Sequence, residues 1–302
     1  MTQTSQAQGR VFDLGFTRYE GPREGRRRAM LSVYKDGLRA AMGLGRGGRA
    51  KILPWLFIGA SLAPAVILAL IAGAVDRLAA GFDAADDLPS HAGFYAIASI
   101  VLLLFAAVVG PELFCPDRQN RVISLYLVRP LRATDYAASR WAALVTVMTL
   151  VAWLPQLVLL AGLVLGAAKP ADYLADNWLD IPRLLLAGIA IAAYFATLAT
   201  LVSSFTTRRA YAAAFLVGVY VVSAAVIGGV TEAVEPDVAR WIALLSFGDV
   251  PLFVNDLVFG GEPTAGSDAA ENLPAAIQVA WYLVVIGLSA LVVRTRYRRL
   301  SV

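Results

Sequence analysis

The sequence predicts an all-α integral membrane protein with six transmembrane helices, and three observations predict it. The 302 residues are 59% hydrophobic and only 16% charged, against about 25% charged in an ordinary soluble domain. Six windows of about 20 residues or more lack Asp, Glu, Lys, Arg and His altogether: 52–75, 92–110, 141–168, 184–207, 210–231 and 272–293. A hydrocarbon core about 30 Å thick demands that length of a helix. Thirdly, 22 of the 26 Lys and Arg fall in alternate segments between those windows, as the retention of cations on the cytoplasmic side requires. Strands would need a closed barrel of short alternating segments, and no such alternation is present.

Taken in order, residues 1–51 form a cytoplasmic N-terminal segment holding 11 Lys and Arg. Its first ten or so residues are polar and expected to be disordered. From Arg26 a helical pattern begins. Met30, Tyr34, Leu38, Ala41 and Met42 share one side of the wheel, with Arg28, Lys35, Arg39 and Arg46 on an adjacent stripe, the pattern of an amphipathic helix lying in the membrane interface. Arg28, Tyr34, Lys35, Leu38 and Arg39 are its candidate membrane-contact residues, and the lipid bilayer its partner. The run Gly43-Leu44-Gly45-Arg46-Gly47-Gly48-Arg49 lacks the Lys-Ser/Thr of a phosphate-binding loop and follows no strand, so it reads as a hinge into the first span. That span starts after residue 51 and is too long for a signal peptide's apolar region, so no cleavable leader is expected.

The second span is expected to stop at Gly110-Pro111. Residues 111–140 then carry a short helix over 117–128, with Val122, Ile123, Tyr126 and Leu127 on one face and Arg118 and Arg121 on another. Arg129-Pro130 ends it, and Thr134-Asp135 caps a helix running on into the third span. Pro155 and Gln156 lie mid-window there, where a kink is expected. The fourth and fifth spans meet at Arg208-Arg209 in a tight antiparallel pair. Residues 232–271 hold eight acids against Arg240 alone, and two apolar runs, 241–245 and 250–259, too short to cross; they predict re-entrant or interfacial helices in an outer cap. The basic tail 294–302 returns to the cytoplasm. Trp55, Trp141 and Trp178 near helix ends suit aromatic belts.

The net charge of +4 is accounted for by this topology, so nucleic acid is not expected as a partner. The lone Cys115 excludes an internal disulfide and reads as a packed apolar thiol. Spans without ionisable groups argue against a proton-coupled carrier, though sodium coupling through Ser, Thr and carbonyl oxygens stays open. They also argue against an intramembrane enzyme. His91, the only histidine, is expected to be a solvated residue at an outer helix end, and no metal site or catalytic residue is assigned. Ser99, Thr146, Gln156, Tyr194 and Ser223 either line a path or bond neighbouring helices. Walker A is absent: uphill transport would need a partner that hydrolyses ATP.

In the stretch from Pro111 to Tyr136, Glu112, Arg118, Arg121, Pro130 and Arg132 occur in the order that resembles the permease subunits of ABC-2-type exporters, whose segment after the second span carries a glutamate, an arginine-rich short helix and a Pro followed soon by Arg. The likeness extends in outline over the whole chain. One departure is Arg121-Val122-Ile123-Ser124 where the family has Gly-Thr. The resemblance implies a permease, not itself an enzyme, that pairs with a second copy or a related permease and with ATP-binding subunits in the plasma membrane, the inner membrane of a bacterium. ATP and Mg would be used by those subunits and no cofactor bound by this chain. It further implies export of a lipid, drug or other amphipathic solute, with Glu112, Arg118, Arg121 and Arg132 contacting the ATPase subunit. Ala214-x-x-x-Gly218 and Ala224-x-x-x-Gly228 would suit a permease-permease contact. The alternatives left by the residues themselves are a self-contained channel or ion-driven carrier and an integral-membrane enzyme.

Overall fold

The computed structural model describes residues 21, 25–45, 47–78, 90–127, 130–260, 264 and 273–299. The polar N-terminus, Arg46, the end of the short helix at 128–129, much of 261–272 and the last three residues of the basic tail, on which the sequence makes predictions, lie outside the described residues. Eleven helices and no strand occur among them: α1 Arg26–Ala41, α2 Arg49–Leu78, α3 His91–Gln119, α4 Ile123–Leu127, α5 Ala133–Gly166, α6 Pro170–Asp176, α7 Asp180–Phe205, α8 Arg209–Ala233, α9 Pro236–Ala243, α10 Val250–Phe259 and α11 Ala275–Arg298.

Six of these, α2, α3, α5, α7, α8 and α11, are long and apolar enough to cross a membrane, as a multi-pass membrane protein requires. They are not equivalent. α3, α5 and α7 form the centre of the bundle, whereas α2, α8 and α11 wrap its outside: 61% of the apolar window of α3 is buried but only 6% of that of α8. In lipid, burial of apolar surface does not drive such helices together; close packing and interhelical hydrogen bonds do. The bonds here are supplied by aromatic side chains that reach across to helix carbonyls. Tyr95 donates to Leu184 O at 2.7 Å, Trp153 Nε1 to Leu185 O at 3.0 Å and Tyr282 to Ala190 O at 2.9 Å. All three target α7, which fixes it as the hub.

Two boundaries differ from the sequence reading. α3 does not stop at Gly110-Pro111 but runs eight residues further. Proline removes one donor from a helix, a loss tolerated where neighbouring helices surround the backbone, and Gly110 works here as a contact point rather than a breaker. A Cβ on it would lie 2.7 Å from that of Ala199 on α7. The predicted helix over 117–128 is accordingly split: its first residues belong to α3, its last to α4. The cap of α5 also shifts, with Arg132 at the N-cap and the Asp135 carboxylate accepting the Arg132 N–H at 3.0 Å.

The basic segments gather at one end of the bundle. Arg118 reaches the last carbonyls of α7, Arg296 bonds Ser204 O, and the Tyr136 and Tyr297 rings lie 6.1 Å apart. At the opposite end sit α6 and the α9–α10 cap. Of the two short apolar runs expected at 232–271, 250–259 is the helix α10, whereas 241–245 supplies only the last turn of α9 and then leaves it in a turn; α10 seats Val250, Leu252, Phe253 and Asn255 inside the bundle.

Candidate functional site

An arginine in a mostly apolar helix must be paired, because an isolated buried charge is prohibitively costly. Arg140, just inside α5, is 3% exposed. Its guanidinium is held by three elements at once: Nη2 lies 2.8 Å from the Asp36 carboxylate of α1 and 3.0 Å from that of Asp117 at the end of α3, and 3.5 Å from the Tyr126 hydroxyl of α4. Asp117 accepts a second bond, at 2.6 Å, from the Tyr136 hydroxyl. One cation thus ties the N-terminal helix, the segment after α3 and the third span into a single unit. Burial, with the Asp117 charge adding to it, pushes the Tyr126 phenol up, so its hydroxyl stays neutral while accepting from the Arg140 guanidinium.

The helix α1 is docked by the same unit. Its apolar stripe, expected to face lipid, instead packs against the chain's own core, with Met30, Leu38 and Met42 half-buried. Tyr34 bonds the Thr146 hydroxyl at 3.0 Å, and Arg26 pairs with Asp135 through two bonds of 2.6 and 2.7 Å. The close approach needs Gly37, whose absent Cβ would stand 2.7 Å from that of Ala143. Arg28, Lys35 and Arg39 remain on the exposed side.

The four residues assigned to ATPase-subunit contact fall into different roles. Glu112 pairs with Arg209 at the start of α8. Arg118 donates to Ser203 O at 2.9 Å, and to the carbonyls of Ser204 and Thr206, which caps the C-terminus of α7 and complements its dipole. Both therefore join helices within the chain. Arg121 and Arg132 are exposed. Arg121 has φ of 54°, a left-handed conformation that costs a non-glycine residue about 1–2 kcal/mol. It occupies the C′ position of a Schellman turn, with Val122 N donating to Asp117 O at 2.9 Å and its own N to Arg118 O at 3.3 Å. Arg132 lies beyond Pro130 at the N-cap of α5.

Sequence reasoning missed Arg140 and its acids. It counted Arg140 among the flanking cations, and nothing in one helix's pattern says that Asp36, Asp117 and Arg140 converge.

The opposite end carries a second polar cluster. His91 is buried rather than solvated, because the first turn of α3 is covered by α5 and α10. Its Nδ1 and Gln156 Oε1 are 2.8 Å apart, and Gln156 Nε2 donates to His91 O at 2.8 Å, so Gln156 serves as a clasp between α5 and α3. Asn255 of α10 donates to Ala92 O at 3.3 Å. Asp249, before α10, has its carboxyl pushed up by burial, with the Asp256 charge adding to it. Ser99 donates to Ala96 O and Ser223 to Tyr220 O within their own helices, Thr146 donates to Ala142 O as well as meeting Tyr34, and Tyr194 stacks on Tyr282. Cys115 is buried against Thr206 O. Among the described residues no group of three or more His, Cys, Asp or Glu side chains is arranged to hold a metal ion.

Compared with models of known protein families, the chain matches none, and no curated protein matches it.

Proposed function

We propose that this chain is the membrane-spanning subunit of an ATP-driven exporter of the ABC-2 type, a permease that moves a lipid, drug or other amphipathic solute with ATP hydrolysed by a separate subunit. The observation that carries this reading is the Arg140 unit. A transport subunit without its own energy source must receive a push at a surface segment and deliver it to its spans. Residues 117–132 offer that surface through Arg121 and Arg132, and the segment is fastened at Asp117 and Tyr126 to a cation embedded in α5. A displacement there loads α1, α3 and α5 together.

On this reading the basic end faces the cytoplasm of a bacterial plasma membrane, where the positive-inside bias places it. The interfacial helix α1 keeps Arg28, Lys35 and Arg39 toward the headgroups. The strained backbone of Arg121 fits a residue retained for its side chain, since glycine would relax the turn. α8 is where a second permease copy would pack: it buries only Ala212 and Leu216 within the chain, and Gly218 and Gly228 have open space around them. The α9–α10 cap would close the outer end.

The test is purification of the tagged protein in mild detergent from its native host, with identification of stoichiometric companions and an ATPase assay of the complex. An ATP-binding subunit bound in a fixed ratio is the expected result. A protein that consistently emerges alone, under conditions that keep other membrane complexes intact, would overturn the proposal.

A further inference from the structure

At the basic end a groove of about 510 Å³ opens beside the Arg140 unit, between α5, α7 and α11, with the first residue of α1 at its rim. Its floor is apolar: Ala137, Trp141, Ile286, Ala290 and Val293 line it. The polar side chains in that floor are already used, for Trp141 Nε1 donates to Thr197 Oγ1 at 3.0 Å, Thr197 to Ala193 O at 2.6 Å and Thr200 to Ala196 O at 2.7 Å. What the floor presents is therefore hydrocarbon.

The rim has the opposite character. Arg26, Arg132 and Arg294 border the groove with a single acid, Asp135, and that carboxylate is committed to Arg26 and to the Arg132 amide. Arg132 and Arg294 are both exposed. They belong to different helices, α5 at its start and α11 near its end, and so flank the groove from two sides. An apolar channel the size of small-ligand sites, about 300–1,000 Å³, with two arginines at one mouth suits an amphiphile with an anionic head. Basic pockets between membrane helices on this side of a bilayer hold acidic headgroups by charge complementarity.

We propose that this groove is a binding site for an anionic phospholipid of the surrounding bilayer, with an acyl chain along Trp141, Ile286 and Ala290 and its phosphate between Arg132 and Arg294. The site rests on the membrane-spanning reading and on nothing about ATP or a partner subunit. It also gives Arg132 a second ligand: a lipid seated there would hold the start of α5, the residue at which the segment 117–132 enters the third span. Transport would then depend on acidic lipid without that lipid being the cargo.

The test uses the full chain, delipidated in detergent, and phosphatidylglycerol brominated on its acyl chains. Bromine quenches a nearby indole, so the increment of quenching lost in Trp141→Phe reports the groove alone. Saturable quenching of Trp141 by brominated phosphatidylglycerol is expected, with brominated phosphatidylcholine at least about tenfold weaker. The double variant Arg132→Gln/Arg294→Gln should weaken the acidic lipid by about tenfold. Its two residues are exposed, so its thermal midpoint without lipid should match the parent. Ala290→Phe, which fills the floor, should abolish the Trp141 increment while leaving the arginines in place. Equal quenching by both lipids, an unchanged half-saturation in the double variant, or displacement of the lipid by inorganic phosphate alone would each overturn the proposal, the last by assigning the arginines to a soluble anion. Failure here leaves the companion-subunit result untouched, so the two readings are separable.

Discussion

Replacing Arg140 by Met removes the cation but keeps a long, flexible side chain in its slot. Three contributions decide the cost. The bond to Asp36 is worth little, because that carboxylate is 60% exposed and water replaces the arginine; exposed pairs contribute about 0–1 kcal/mol. The Tyr136 ring, 5.7 Å from the guanidinium, adds about 0.5–1 kcal/mol. Asp117 dominates: at 18% exposed it is left with the Tyr136 hydroxyl and no cation. Breaking a buried pair by removing one partner costs about 3–5 kcal/mol, and partial exposure puts the total near the lower end, roughly 3–4 kcal/mol. At about 2 °C per kcal/mol for a chain of this size, the apparent midpoint should fall by roughly 6–8 °C. The assay is thermal unfolding of the purified protein in detergent, compared at one scan rate because such transitions are irreversible. Adding Asp117→Asn should recover most of the loss, as removal of both members of a buried pair is often nearly neutral. Asp36→Asn alone should lower the midpoint by about 2 °C or less. The reasoning is refuted if Arg140→Met falls by under about 2 °C, or if the double variant is no better than the single one.

The two arginines of the proposed contact segment should separate cleanly. Arg118→Glu places a carboxylate against three helix carbonyls and should lower the thermal midpoint by several degrees, whereas Arg121→Glu, at an exposed position, should lower it by less and uncouple ATP hydrolysis from transport; equal thermal losses would contradict their assignment. Gly37→Leu overfills the gap to Ala143, at about 1–3 kcal/mol, and should loosen α1. Trypsin would then cut at Arg39 faster than in the parent, and an unchanged rate would show that α1 is held otherwise. The Asp249 carboxyl is raised above its unfolded value, so its contribution to stability is fully present below about pH 4 and is lost as pH rises through the folded pKa. Asp249→Asn should match the parent in midpoint at low pH and exceed it at pH 8, and parallel pH profiles would refute the burial argument.

The spans were legible because hydrocarbon imposes a rule on every residue of a window, and six uncharged stretches obey it. The helix α10 was legible for the converse reason, being an apolar run of insufficient length, whereas α9 begins in a polar stretch and only its last three residues belong to an expected run. What the sequence hid was pairing. Gly110-Pro111 reads as a stop by local propensity, yet the neighbouring α7 comes close enough to make the glycine a contact. Arg118 reads as a surface cation, and only the return of α7 some 85 residues later supplies the carbonyls that hold it. His91 is polar enough to predict exposure, and its cover arrives from Gln156 and α10. The site fared likewise: Arg121 and Arg132 were named from the family resemblance and are exposed, while Arg140, which fastens their segment to the bundle, is recognisable only once three distant elements meet.

The order in which the chain is made gives the Arg140 unit a further consequence. Asp36 and Asp117 both leave the ribosome before Arg140, the nearer of them by 23 residues. By the time α5 has been made, both acids that hold its arginine therefore already exist in the chain. Arg118 has the reverse history. It must remain at the surface, hydrated, through the synthesis of two further spans before its carbonyls exist. Biogenesis can thus stall at one of these arginines and not at the other: a chain truncated after α5 already holds its Arg140 lock, while the lock of Arg118 closes only when α7 has arrived.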